Sequence, residues 1–267
     1  MSDVAPPKFD NLVFETSHGV ATIRLTRVDA RNALNMSLKR ELAAAIELAA
    51  DRYDVRAVVV TGEGGSFCAG GDIAEMVLND SPRTSRSRLR NLLSDIFIPL
   101  AELEKPTIAA INGHAHGAGL SLAMACDLVI AADDAMMSCA FAKVGLVPDC
   151  GALYFLPRRL PMHLVKELIF TGRRFSAKEA LEMGLVNRVV PSADLGDEST
   201  TLARQLAAGP TVAFGMAKTL LARSLQLGLH DMAEMEAFGQ AVAYATDDHF
   251  EARRAFSVKD QPTFAGQ

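Results

Sequence analysis

TGEGGSFCAGGD (residues 61–72) and NGHAHGAGLSLA (residues 112–123) are two glycine-rich turns, each entered from a short apolar run, AVVV (57–60) and TIAAI (107–111). A turn that leaves a strand and opens a helix presents backbone N–H groups with no partner, so both are candidate anion-binding sites. Known phosphate cradles do not fit them. In the first, Gly65 and Gly70 have P-loop spacing, but Gly71 and Asp72 stand where lysine and Ser/Thr are needed. In the second, Gly117 and Gly119 require a third glycine where Leu122 stands, so the dinucleotide fingerprint fails as well. Gly119-Leu-Ser121-Leu-Ala123 differs from a GxSxG nucleophile elbow at its last position. That elbow follows its strand directly, whereas here nine residues separate Ile111 from Ser121. A serine hydrolase with His163, His230 or His249 as base stays open as an alternative.

Outward from these loops, VATIRL (20–25) reads as a strand, residues 37–52 carry apolar side chains at helical spacing, and residues 57–60 return to strand. The run 107–111, a helical stretch over 120–126 and a strand at 128–131 repeat the alternation, which predicts an α/β core with parallel pairing. Beyond Pro161 the pattern becomes helix after helix. Ser176-Ala-Lys-Glu179 reads as a capping box closed by Gly184, and residues 211–227 and 230–244 read as long amphipathic helices parted by Gly228. The expected division is an α/β core over residues 1–190 and a helical region over 191–267. The arginines at 83, 86, 88 and 90 read as a solvated helix face, with attraction of a phosphorylated ligand as the alternative.

The chain has 267 residues, 49% hydrophobic and 22% charged, which suits one large core and excludes a disordered or fibrous protein. A net charge of −5 gives no pull toward nucleic acid or anionic membranes. Cys68, Cys126, Cys139 and Cys150 show neither a CxxC pair nor zinc-ligand spacing, so no metal or disulfide framework is expected. MSDVAPPKFD lacks the basic and apolar regions of an export signal. The longest apolar stretch, 120–132, is broken by Asp127 and falls short of the roughly 20 residues that span a bilayer. A cytoplasmic protein is expected, with no membrane or nucleic-acid partner.

FCAGGDIAEM (67–76) together with INGHAHGAGLSLAMACDLVIA (111–131) resembles the crotonase, or enoyl-CoA hydratase/isomerase, superfamily. The likeness extends through VDARNALN (28–35), GLVPD (145–149), GLVNRVVP (184–191) and AFSVKDQPTF (255–264), in family order over nearly the whole chain. It implies a crotonase spiral of repeated ββα turns with a helical C-terminal region that mediates trimerisation, as a homotrimer or a dimer of trimers. It also implies an acyl-CoA thioester substrate whose carbonyl is polarised by two backbone N–H groups, from Gly71 and Ala118. Preorganised donors of this kind are worth roughly 10²–10³ in rate each. By the same resemblance Ala30 and Arg31 approach the adenine and phosphate end of CoA. Ala69, Asp72 and Ile73 line the pantetheine path through backbone contacts, and Phe256 and Lys259 close over the nucleotide. No metal and no cofactor beyond the substrate's own CoA is implied.

Hydratases of this family hold a water between two glutamates. Ser121 stands at the position of the first and Phe141 at that of the second, and neither can act as a general acid or base near neutral pH. Asp149 remains, directly after Pro148, as in the isomerase branches that the stretch 140–158 resembles. One carboxylate suffices to move a C=C bond, taking a proton from one carbon and returning it to another. Apolar neighbours such as Phe141, Leu146 and Val147 are expected to raise its pKa. Asp149 could instead cap the helix opening at Cys150-Gly151-Ala152. Cys150 as a nucleophile lacks an adjoining base, and His114 and His116 read as packed or solvated. The departures are Cys150-Gly151-Ala152 where relatives have Ser-Gly-Gly, and Ser121 where they often have Asn. The reading is enoyl-CoA isomerisation with Asp149 as catalytic residue; the alternatives are a hydratase with an unconventional water site and an acyl-CoA binder without turnover.

Overall fold

The structure, a computed structural model, describes residues 8–75 and 81–267; MSDVAPP at the N-terminus and Met76, the last residue of FCAGGDIAEM, lie outside them. Two sheets form the core. The larger runs β1 (Leu12–Ser17), β2 (Val20–Leu25), β3 (Ala57–Gly62), β5 (Thr107–Ile111), β7 (Leu128–Ala132) and β10 (Arg188–Val190) in that spatial order, parallel throughout except for the β1–β2 hairpin. The smaller orders β4 (Ser66–Cys68), β6 (His114–His116), β8 (Met136–Ser138) and β9 (Arg174–Ser176). Each central strand of the first sheet hands the chain to a short strand of the second and then to a helix. The units are β3–β4 with α2 (Pro82–Leu92) and α3 (Ile98–Glu102), β5–β6 with α4 (Ala118–Ala125), and β7–β8 with α5 (Ala152–Phe155) and α6 (Met162–Thr171). This is the ββα spiral that the sequence motifs implied.

Helix α1 (Met36–Asp51) begins where the Asn35 side chain accepts the Leu38 N–H at 2.8 Å, and buries Leu38, Leu42, Ala45, Ile46 and Ala49 at helical spacing. Strand β5 is buried on both faces, as a parallel strand between two layers must be. Helix α4 is buried at all eight positions, and Ser121 is its one hydroxyl side chain. Helix α7 (Ala177–Glu182) is followed by α8 (Leu195–Ala207), which lays Leu195, Ala203 and Ala207 into the core against the large sheet. Beyond it come α9 (Thr211–Arg223), α10 (Leu229–Tyr244) and α11 (Asp247–Val258).

Several expectations are corrected. The first strand read from the sequence begins at Val20, but β1 precedes it, joined by a two-residue His18-Gly19 turn with φ of 51° and 77°, the connection a right-twisted hairpin favours. β9 and β10 interrupt the all-helical pattern beyond Pro161; three residues paired with strands far away in sequence leave no local periodicity to read. The capping box is half formed. Ser176 Oγ accepts the Glu179 N–H at 3.2 Å, but the Glu179 carboxylate turns to Arg173 at 2.6 Å instead of reaching back. Helix α9 ends at Arg223, short of residue 227. Arg83, Arg86 and Arg90 lie exposed on α2, as a solvated face should.

Backbone contact between the two glycine-rich turns sets how closely the layers approach. A Cβ on Gly119 would overlap the carbonyl of Cys68, so α4 can lie on β4 only with glycine there. Gly119→Ala is therefore expected to destabilise the protein by about 2–3 kcal/mol, read as a lower midpoint in denaturant unfolding.

Candidate active site

The first turn, after β4, carries Gly70 at φ 102° and Gly71 in a parallel bridge with Leu34. The neighbouring amides are used. Ala69 N–H donates to Arg31 O at 3.0 Å and Asp72 N–H to Leu34 O at 3.3 Å, and the Gly70 N–H engages the Cys68 sulfur. The Gly71 N–H has no acceptor among the described residues. In the second turn Gly117 adopts φ 52° and ψ −120°, a conformation open to glycine, and its N–H donates to Ser138 O at 2.9 Å. The chain then enters α4, and the Ala118 N–H, at its first position, is likewise unpartnered among the described residues.

The two free donors are neighbours. A Cβ on Gly70 would stand 2.8 Å from His116 O and 3.4 Å from Ala118 N, so glycine lets the two turns touch through their backbones. Two fixed N–H groups from separate segments, one at a helix N-terminus, can stabilise charge developing on a single oxygen. Phe141 is buried beside them, its ring 3.9 Å from where a Gly117 Cβ would lie.

Asp149 lies within reach of the same helix. Its backbone carbonyl accepts the Ser121 hydroxyl at 3.2 Å and the Ala152 N–H at 3.0 Å. The N-cap of helix α5 is Gly151, which has no side chain, and among the described residues no α5 amide donates to the Asp149 carboxylate. Burial raises the Asp149 pKa above the ordinary carboxylate value, and a hydrogen bond from Cys150 and the positive charge of Lys39 on α1 moderate the rise. Leu146 and Val147, expected to crowd it, are 47% and 74% exposed, because Gly145 at φ 70° turns the chain outward. Asp149 borders instead a largely apolar groove of about 1180 Å³, whose walls include Phe97, Met124 and Phe155.

Other candidates fall away on their surroundings. Cys150 is buried, and burial followed by the Asp149 charge pushes its thiol pKa up, so it is not a thiolate near neutral pH. Ser121 Oγ meets two backbone carbonyls, of Gly117 at 3.3 Å and Asp149, and no histidine nitrogen among the described residues, which removes the hydrolase triad. His116 stacks on His114 and bonds Ser138 Oγ through Nδ1 at 2.9 Å; burial, then its positively charged neighbours, lower its pKa to about 4. It is a packed, neutral imidazole.

Ala30, Arg31, Ala69, Asp72 and Ile73 are brought onto two strands of chain zipped together by the Arg31–Ala69 and Leu34–Asp72 bonds. Arg31, left-handed at φ 51°, also lines a small cavity of about 280 Å³ with Val28, Glu63 and His114. The Asp72 carboxylate pairs with Arg27 at 3.0 Å and Ile73 is 67% exposed beside it. Phe256, at 88% exposure, and Lys259, the left-handed cap of α11, have no bond to this cluster among the described residues. The tail beyond them is held at Arg56, which donates to Phe264 O at 2.7 Å and precedes β3, at the end away from Gly71.

Sequence reasoning passed over Asn32 and Lys39. Asn32 is fully buried at φ 57° and donates to Glu63 O and Ser66 O, tying the RNALN segment to the first turn. An asparagine inside a turn-rich stretch was its available signal. Lys39 gave none, since only packing of α1 shows which way a helix lysine faces.

With this geometry in place, the likenesses to known proteins agree. The family model for enoyl-CoA hydratase/isomerase matches residues 15–267. The chain is 34% identical to the 1,2-epoxyphenylacetyl-CoA isomerase of Escherichia coli, covering 93% of this chain and 96% of that one. It is 35% identical to the short-chain-enoyl-CoA hydratase of Clostridium acetobutylicum, covering 94% and 96%. The crystal structure of an enoyl-CoA hydratase/isomerase from Cupriavidus metallidurans superposes with a TM-score of 0.91 at 34% identity, over 97% of this chain and 98% of that one. The chain belongs to the enoyl-CoA hydratase/isomerase family, within the crotonase superfamily.

Proposed function

We propose that this enzyme moves a C=C bond of an enoyl-CoA, with Asp149 as the single proton shuttle. The observation that carries the reading is a carboxylate freed from helix capping, raised in pKa by burial, on a loop bonded to the helix that offers the Ala118 N–H. The thioester oxygen sits between the Gly71 and Ala118 N–H groups. The Asp149 carboxylate takes a proton from C2 of a 3-enoyl-CoA. The electron pair spreads into the C3–C4 double bond and the carbonyl, and the resulting dienolate oxygen is held by the two donors. The carboxylic acid then returns its proton to C4, which leaves a 2-enoyl-CoA and restores the base. No water is consumed. Relatives bear hydratase, isomerase and dehalogenase names, so the family admits more than one reaction on a CoA thioester.

Homotrimerisation, as a trimer or a dimer of trimers, belongs to the same proposal. It is supported by Leu221, Leu225, Leu229 and Phe238 of the C-terminal region, each about 70% exposed or more.

The decisive test assays 3-enoyl-CoA isomerisation and 2-enoyl-CoA hydration in parallel, for wild type and Asp149→Asn. Isomerisation is expected to dominate and to fall by about 10³-fold or more in the variant. Hydration that dominates and survives would overturn the assignment, and tight acyl-CoA binding with no turnover on either substrate would mark a binder. The same variant has a stability signature. A carboxylate whose pKa is higher folded than unfolded leaves the native state holding more protons between the two values, so stability falls as pH climbs through that window. Asp149→Asn escapes this loss and is expected to melt no lower than wild type at pH 7.

Two further variants separate the donors from the base. Proline is tolerated at the first position of a helix yet has no N–H, so Ala118→Pro should keep the fold and lose about 10²–10³ in kcat. Lys39→Met removes a positive charge that favours ionised Asp149. The acid limb of the kcat/KM profile should therefore shift to higher pH, and a limb that stays in place would disconnect it from Asp149.

A further inference from the structure

The loop that carries Asp149 is poorly anchored for a loop that must place a base. Residues 142–147 are exposed, and Gly145, Cys150 and Gly151 all have positive φ, at 70°, 54° and 84°. Cys150 is not glycine, so its left-handed backbone persists only where the surroundings hold it. Its side chain is 2% exposed and fills the space under the loop. The bonds Gly145 N–H to Ala142 O, Leu146 N–H to Phe141 O and Ala152 N–H to Asp149 O are all local. Among the described residues, one hydrogen bond reaches residues 142–149 from another element: Ser121 Oγ to Asp149 O at 3.2 Å.

Ser121 sits on α4 three residues after Ala118, and its hydroxyl also lies 3.3 Å from Gly117 O, the carbonyl of the very peptide whose N–H is Ala118's. A single side chain, 1% exposed, thus touches the peptide that supplies an oxyanion donor and the residue that supplies the base.

We infer that Ser121 is a positioning residue, whose hydroxyl joins the Asp149 loop to the oxyanion peptide so that base and donor keep a fixed separation. The inference rests on the reading of Asp149 as the base. It gives the hydroxyl a role at a place where it can neither activate water nor act as a nucleophile, because its single proton is shared between two main-chain carbonyls. The rate should depend on it through geometry alone, since a displacement of about 1 Å in a reacting group can lose 10²-fold.

The test measures isomerisation kinetics of Ser121→Ala, Ser121→Cys, Asp149→Asn and the double variant Ser121→Ala/Asp149→Asn. Ser121→Ala should lower kcat by about 10- to 100-fold with KM changed less than about threefold. Ser121→Cys, close in size with a weaker donor, should fall between Ala and wild type. If Ser121 works through Asp149, removing its hydroxyl from the Asp149→Asn enzyme should cause no further loss. The inference is overturned if both Ser121 variants stay within about threefold of wild type while Asp149→Asn is crippled, or if the Ser121→Ala loss adds in full to that of Asp149→Asn. Should Ser121→Ala not fold, Ser121→Cys decides by the same threshold. Undiminished isomerisation by Asp149→Asn would remove the base itself, and the tie with it, a result distinct from failure of the tie alone.

Discussion

Carbonyl-to-glycine contact between two turns is the constraint on which the rest of this structure depends. Gly119 lies on the Cys68 carbonyl and Gly70 against the His116 carbonyl. Because no side chain intervenes, β4 and α4 approach as two bare backbones. The N–H groups of Gly71 and Ala118 then lie on adjoining turns with no acceptor among the described residues. A donor pair built from main chain cannot swing away as a side chain can, and its dipoles are already oriented before substrate arrives, which is the feature that makes such donors effective. The spiral provides it. Each ββα unit delivers one short strand to the small sheet, and neighbouring units β3–β4 and β5–β6 bring one turn each.

The carboxylate proposed as the base is arranged on the opposite principle. Where the donors are rigid because they are backbone, Asp149 is a side chain on an outward-turned loop, and its position derives from what lies beneath it. Cys150 is packed under the loop, Ser121 bonds its carbonyl, and Lys39 stands near enough to bias its ionisation. Burial opposes the charged form of the carboxylate, which is unfavourable for stability and favourable for proton abstraction. The four cysteines fit this frame. All are buried and unpaired, and desolvation raises each of their pKa values, so they behave as small apolar residues.

Much of this is legible in the sequence, and the exceptions share a cause. Strands β2, β3, β5 and β7 and helix α1 carry their patterns within a dozen residues, since one buried face repeats at period 2 or 3.6. β9 and β10 do not, because three residues cannot show a period and their reason for being strands lies in β8 and β7. The site divides the same way. Gly71, Ala118 and Asp149 belong to contiguous motifs. Asn32, Lys39 and the structural reason for Ser121 act across 28 residues of chain or more, in a geometry that only packing creates.

The amino-acid sequence by itself determined the α/β alternation, the glycines that permit two turns to meet, the absence of both hydratase glutamates and the presence of a lone aspartate after Pro148. These are local properties: side-chain size, backbone freedom and periodicity act within a few residues of chain. Tertiary structure decided which N–H groups remain unpaired, that the Asp149 carboxylate is free of its helix, that burial raises its pKa, and that Ser121 bonds its carbonyl. Those are properties of distance and dielectric. Both are set by segments remote in sequence that fold against one another.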